Sequence, residues 1–184
     1  MPIKERVDVK LKNIKMFQGH EGTGMNADIF INGLKCMHVY DAADGGDYEF
    51  TSYEYHNKKE QQIKHNIQSL NDYIATLPDV QLFSDVTDFH VKMDLEHFIN
   101  QLLLDIEKEK TLRNLLKKEI DHVIYGLPNG DKYYLQKFRI PLSEIPLGSM
   151  IAELNKIKVN EFKKGYVFFN TNFKKLGIDV DKLI

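Results

Sequence analysis

Apolar and polar residues alternate along ADIFINGLKCMHVYDAADGGDYEFTSYEY, residues 27–55, broken at Asn32-Gly33 and again at Asp44-Gly45-Gly46-Asp47. Period-two alternation marks a strand with one buried face, and Asn-Gly supplies the positive φ values of a tight hairpin. The stretch therefore predicts an antiparallel meander. Upstream, Val7, Val9 and Leu11 alternate with Asp8, Lys10 and Lys12 and add a strand over about 5–17. The following strands fall at about 25–31, 34–40 and 48–55. Ala27, Ile29 and Ile31 share one face of the second; Asp28, Phe30 and Asn32 share the other.

From about residue 58 the period changes. Ile63, Ile67, Leu70, Ile74 and Leu77 form a helical stripe that Pro78 ends. Residues 78–93 are irregular, with a short strand expected near 89–92. Asp94 is placed to cap a second helix reaching about Leu116, its apolar face formed by Leu95, Phe98, Ile99, Leu102, Leu103 and Ile106. A break near Thr111 is expected, and the charged run 107–110 reads as a solvated face. Strand patterning returns at 120–125 and 132–135 around Asn129-Gly130, a second hairpin closed by Pro141. Ser143 or Ser149 is expected to cap a third helix over about 148–157. Gly165–Phe169 reads as a last strand, followed by a tail of polar turns.

This order predicts an α+β fold: an antiparallel N-terminal β-meander packed on helices, with a second β-hairpin and helix toward the C-terminus. Residues 1–77 would form the meander and its helix. Residues 78–184 would supply the rest, joined to the first part in one compact unit. Any boundary is expected between 78 and 93 or near 118.

Composition adds limits. The 184 residues are 42% hydrophobic and 28% charged, ordinary for a folded soluble chain. The formal net charge of −2 excludes strong overall attraction to nucleic acid. The charge is uneven, however: residues 1–110 carry 12 basic and 19 acidic side chains, residues 111–184 carry 13 and 8. A basic C-terminal half offers Lys132, Lys137, Arg139, Lys156, Lys158, Lys163 and Lys164 as phosphate contacts. The lone Cys36 excludes an intramolecular disulfide and points to a reducing compartment. No apolar run approaches a membrane span, and the N-terminal residues lack a signal-peptide core, so a cytoplasmic protein with no membrane partner is expected.

Chemistry-bearing patterns are few. Asp41, Asp44, Gly45, Gly46, Asp47 and Tyr48 form an acidic turn, the candidate binding site. Oxygen-rich loops suit hard cations, yet this spacing is not that of an EF-hand, and Asp and Gly also serve turns conformationally. None of the seven histidines falls at zinc spacing, although His20-Glu21 and His38 could meet across strands. Cys36 reads as a small core residue. The Gly-rich stretch 18–24 lacks P-loop spacing. Tyr40, Tyr48, Phe50, Tyr53 and Tyr55 could form a stacking platform, but only Lys58 and Lys59 lie nearby in sequence, which favours packing over base recognition. No catalytic residue, metal ligand set or cofactor is called for.

The run ADIFINGLKCMHVYDAADGG and the closing VFFNTNF, Val167–Phe173, resemble small proteins of unknown function encoded by bacteriophages and bacterial mobile elements. Those proteins tend to carry a Gly-His-Gly-Gly turn. This chain has Asp44-Gly45-Gly46, so no role for a turn histidine carries over. The resemblance implies a phage or prophage context and no activity. The function expected is binding of a host or phage protein, as an inhibitor of host defence or a minor virion component, in the bacterial cytoplasm or the virion. The alternatives are a nucleic-acid-associated protein using the basic half, and a metal-dependent hydrolase on Asp41, Asp44, Asp47 and a histidine.

Overall fold

The computed structural model describes residues 7–53, 59–81 and 89–183. Within them the chain is α+β. The chain forms two units, 1–104 and 105–184, divided inside a helix. Among the described residues no helix is long and apolar enough to cross a membrane.

The first unit opens with β1 (Val9–Gln18), β2 (Thr23–Ile31), β3 (Leu34–Asp41) and β4 (Glu49–Ser52), an antiparallel sheet in sequence order. The expected Tyr55 end of the fourth strand lies outside the described residues. Asn32, at φ 51°, and Gly33, at φ 80°, make the β2–β3 turn that their sequence announces. One sheet face buries Met25, Ala27, Ile29, Ile31, Met37 and Val39, all at 3% exposure or less.

Helix α1 (Lys59–Ile74) lies over β2 and β3 and lays Ile63, Leu70 and Ile74 into this core. Its one buried polar residue, Asn66, donates to the Ile31 carbonyl at 3.0 Å and reaches the Cys36 sulfur at 3.7 Å. Cys36 is fully buried, and that burial pushes its thiol up. A two-residue ribbon follows, β5 (Val80–Gln81) against β6 (His90–Val91), near the strand expected at 89–92.

Helix α2 (Leu95–Leu116) starts where Asp94 predicts. The Asp94 carboxylate accepts from the His97 amide at 2.8 Å and from its ring at 2.7 Å. Asp94→Ala is expected to cost about 1 kcal/mol in a urea titration. A change below a few tenths would show that the cap adds nothing. Two expectations fail here. The helix runs through Thr111 unbroken, and Ile106 is 37% exposed, so the apolar face ends at Leu103.

In the second unit β7 (His122–Gly126) is central, with β8 (Tyr133–Lys137) on one side and β9 (Val167–Phe168) on the other. This sheet is separate from the first. Ile120, expected in the strand, is 64% exposed before it. Helix α3 (Leu147–Glu161) buries Met150, Leu154 and Ile157. Neither Ser143 nor Ser149 caps it: the N-cap is Pro146, at φ −52° and ψ 133°, with no side-chain hydrogen bond. The tail is not merely polar turns. Short 3₁₀ turns at Phe173–Leu176 and Val180–Lys182 bring Phe173, Ile178 and Leu183 into the core with Val123 and Leu142.

Candidate functional site

The acidic turn is built for its own conformation. Asp41 accepts from the Ala43 amide at 2.8 Å, and Asp44 from the Gly46 amide at 3.1 Å. Ala43 and Gly45 have φ of 50° and 83°. The turn rests on the β1–β2 loop, where the Glu21 amide donates to the Ala43 carbonyl at 2.7 Å. Asp44, Gly45, Gly46 and Asp47 are exposed. Tyr48 points elsewhere: its amide donates to Glu96 and its hydroxyl to Asn100, both on α2. Among the described residues no group of three or more His, Cys, Asp or Glu side chains is placed to hold a metal ion, so the hydrolase alternative finds no support in this turn. His20 is exposed in the loop, whereas His38 pairs with a different carboxylate.

That carboxylate is Asp28, which sequence reading placed on the polar face of β2 but did not single out. It is only 6% exposed. Four donors hold it: Asn13 at 2.7 Å, Lys35 at 2.8 Å, Tyr53 at 2.9 Å and His38 Nδ1 at 3.1 Å. A carboxylate only accepts, so Nδ1 of His38 carries the proton of that bond. Burial pushes the Asp28 carboxyl up, but hydrogen bonds from Lys35, Asn13, His38 and Tyr53 together outweigh it and hold the group well below the usual carboxylate range.

Two bulges bring these donors together. In β1, Asn13 and Ile14 sit where the register skips from Lys12 to Lys15, and Asn13 takes φ 54°. Asparagine tolerates that left-handed conformation, and its amide then meets Asp28. In β3 the register skips from Met37 to Lys35, leaving Cys36 as the extra residue. Strict alternation would put Lys35 and Met37 on one face. The bulge sends Met37 and Cys36 into the core and Lys35 to the other side.

Around Asp28 the register lays out the face of the sheet opposite α1. Lys12, Asp28, His38 and Thr51 form one cross-strand row; Lys15, Asn26, Tyr40 and Glu49 form the next. Lys12 sits 4.2 Å above the Phe30 ring and Lys35 4.1 Å above Tyr53. Phe17 stacks on Tyr40, centroids 5.7 Å apart at 19°. Gly24 makes room for that pair, since a Cβ there would lie 2.6 Å from the Phe17 ring. The expected aromatic set therefore divides. Phe50 shares the core face with Val39, Tyr48 turns to α2, and Tyr40 and Tyr53 belong to the open face. Its cations among the described residues come from β1 and β3; Lys58, expected to serve the set, lies outside the described residues. The signal in the sequence was the lysine alternation of VKLKNIK.

The seven cations expected in the C-terminal half are spread over β8 and the residues flanking it, α3 and the turn after it. Lys156 pairs with Glu153, Lys164 with Glu161, and Lys158 donates to the Leu183 carbonyl at 2.6 Å. Lys137, Arg139 and Lys163 are exposed. Lys132 lies over Tyr134, whose hydroxyl is 3.2 Å from that of Tyr166. The bond with Tyr166, then Lys132, draws the Tyr134 phenol below its ordinary value. Two surface hollows, of about 460 and 400 Å³, are lined by none of the candidate site residues expected from sequence. No protein-family model matches the chain, and comparison with curated proteins and with solved structures gives no match.

Proposed function

We propose that this protein acts by binding an acidic macromolecule on the open face of the first unit's sheet, not by transforming a small molecule. The observation that carries the reading is the segregation of charge. In a half of the chain with an acidic excess, Lys10, Lys12, Lys15 and Lys35 gather on one face. Among the described residues the acidic groups there are the enclosed Asp28, the edge residue Glu49, and Asp8, which pairs with Lys10 at 3.0 Å. Focused positive charge of this kind attracts anionic partners. The resemblance noted above suggests the setting, a phage or mobile-element product meeting a host or phage partner inside the bacterial cell.

The full chain is expected to be retained on immobilised heparin at low salt and released as salt rises. Replacing Lys10, Lys12 and Lys15 together by Gln should abolish retention. If that variant binds unchanged, the face is not the site. The second reading places the contact in the C-terminal half, favoured by Lys132 and Lys164 flanking Tyr134 and Tyr166. Loss of retention in a Lys132→Gln/Lys164→Gln protein, with the β1 variant unaffected, would select it.

A further inference from the structure

We infer that the partner of the open face is a single-stranded nucleic acid, an assignment that rests on the polyanion-binding reading above. Charge alone suits any polyanion, but aromatic rings set among the lysines suit one that carries bases. Phe17 and Tyr40 form a flat stacked pair with Tyr40 37% exposed. The half-buried Phe30 lies further along the same face. From Gly24, under Phe17, to Phe30 is six residues of β2, roughly 20 Å at about 3.4 Å per residue.

Lysines 10, 12 and 15 line that path along β1, on the phosphate side of any base stacked over β2 and β3. Lysine-flanked aromatic platforms are how sequence-tolerant single-strand binders work, because every base has a π face and every linkage a charge. A duplex hides those faces within its stack, and an open sheet face does not enter its grooves as a helix or ribbon does. Asp28 contributes by position. Its bonds hold Lys35, His38 and Tyr53 level with this path while its own charge is enclosed by donors.

The test is fluorescence anisotropy of the full chain with labelled oligo-dT and oligo-U, the corresponding duplexes, and labelled heparin as a polyanion without bases. Single strands should bind more tightly than duplexes. The plot of log affinity against log salt should fall with a slope near −2 for three lysines, at about −0.7 per phosphate on single strands. Tyr40→Ala, an exposed substitution whose folding is checked by circular dichroism, should weaken oligonucleotide binding about tenfold and leave heparin binding unchanged. Equal loss for both, or no effect of Tyr40→Ala on either, overturns the nucleic-acid assignment but keeps the polyanion reading. Failure to bind either probe overturns both. Capture of an acidic host protein by the face, with oligonucleotides unbound, also overturns it.

Discussion

Asp28→Ala is expected to destabilise the first unit by about 2–3 kcal/mol, a large share of the 5–15 kcal/mol that holds a typical domain. The substitution leaves Lys35 without its counter-ion and removes the acceptor of Asn13, His38 and Tyr53. The cost lies toward the lower end for a broken buried pair because the Lys35 and His38 side chains keep 29% and 38% exposure and recover some hydration. Asp28→Asn keeps the shape and loses the charge, so it should cost less. Urea titration, with amide exchange of β2 and β3 as the local probe, measures both. A loss below about 0.5 kcal/mol for the alanine variant would mean that the four donors satisfy themselves from water.

The same carboxylate sets a pH dependence. Its folded-state pKa lies below that of the unfolded chain, about 3.9. The stabilisation is therefore complete above the unfolded value and is lost as pH falls from there through the depressed folded value. Wild type should lose stability steeply below about pH 4. The Asp28→Asn protein, already without that contribution, should show a flatter acid limb. Parallel acid limbs would contradict the assignment.

What the sequence made legible is what repeats. The alternation of Ala27, Ile29 and Ile31 and the Asn32-Gly33 turn describe the meander correctly. The stripe Ile63–Leu70–Ile74 likewise describes helix α1, because buried faces impose a period. Asp94 was readable for a related reason: a cap is a local event within one turn of helix. The Asp28 cluster was not readable. It depends on two bulges, and a bulge shifts the faces of a strand without leaving a periodic trace. With Cys36 counted as an ordinary strand position, alternation puts Lys35 and Met37 on one side, and nothing in the spacing links the lysines of β1 to Tyr40 and Tyr53. The tail was misread because Phe173, Ile178 and Leu183 stand singly among polar residues, held by short 3₁₀ turns rather than by one element.

Asn170→Ala should destabilise the second unit by about 3 kcal/mol. β9 pairs with β7 for only two residues, Val167 with Gly126 and Phe168 with Tyr125, after which the Phe169 amide donates to the Ile124 carbonyl at 2.9 Å. There the backbone leaves the sheet and a side chain continues its ladder. Asn170 accepts from the Ile124 amide at 2.6 Å and donates to the His122 carbonyl at 2.8 Å, as a peptide group would. Glu119 fixes the following residues, accepting from the Thr171 amide and hydroxyl and from the Asn172 amide. This explains the NTN of the closing motif by folding alone.

Alanine would leave the Ile124 amide, in a fully buried residue, without a partner. The substitution Asn170→Asp separates the two bonds: an ionised carboxylate accepts from Ile124 but opposes the His122 carbonyl, whereas a protonated one donates to it. This variant should therefore show faster Ile124 amide exchange than wild type at neutral pH, with protection restored as the introduced acid is protonated. Equal exchange at both pH values, after correction for the intrinsic rate, would show that only the Ile124 bond matters.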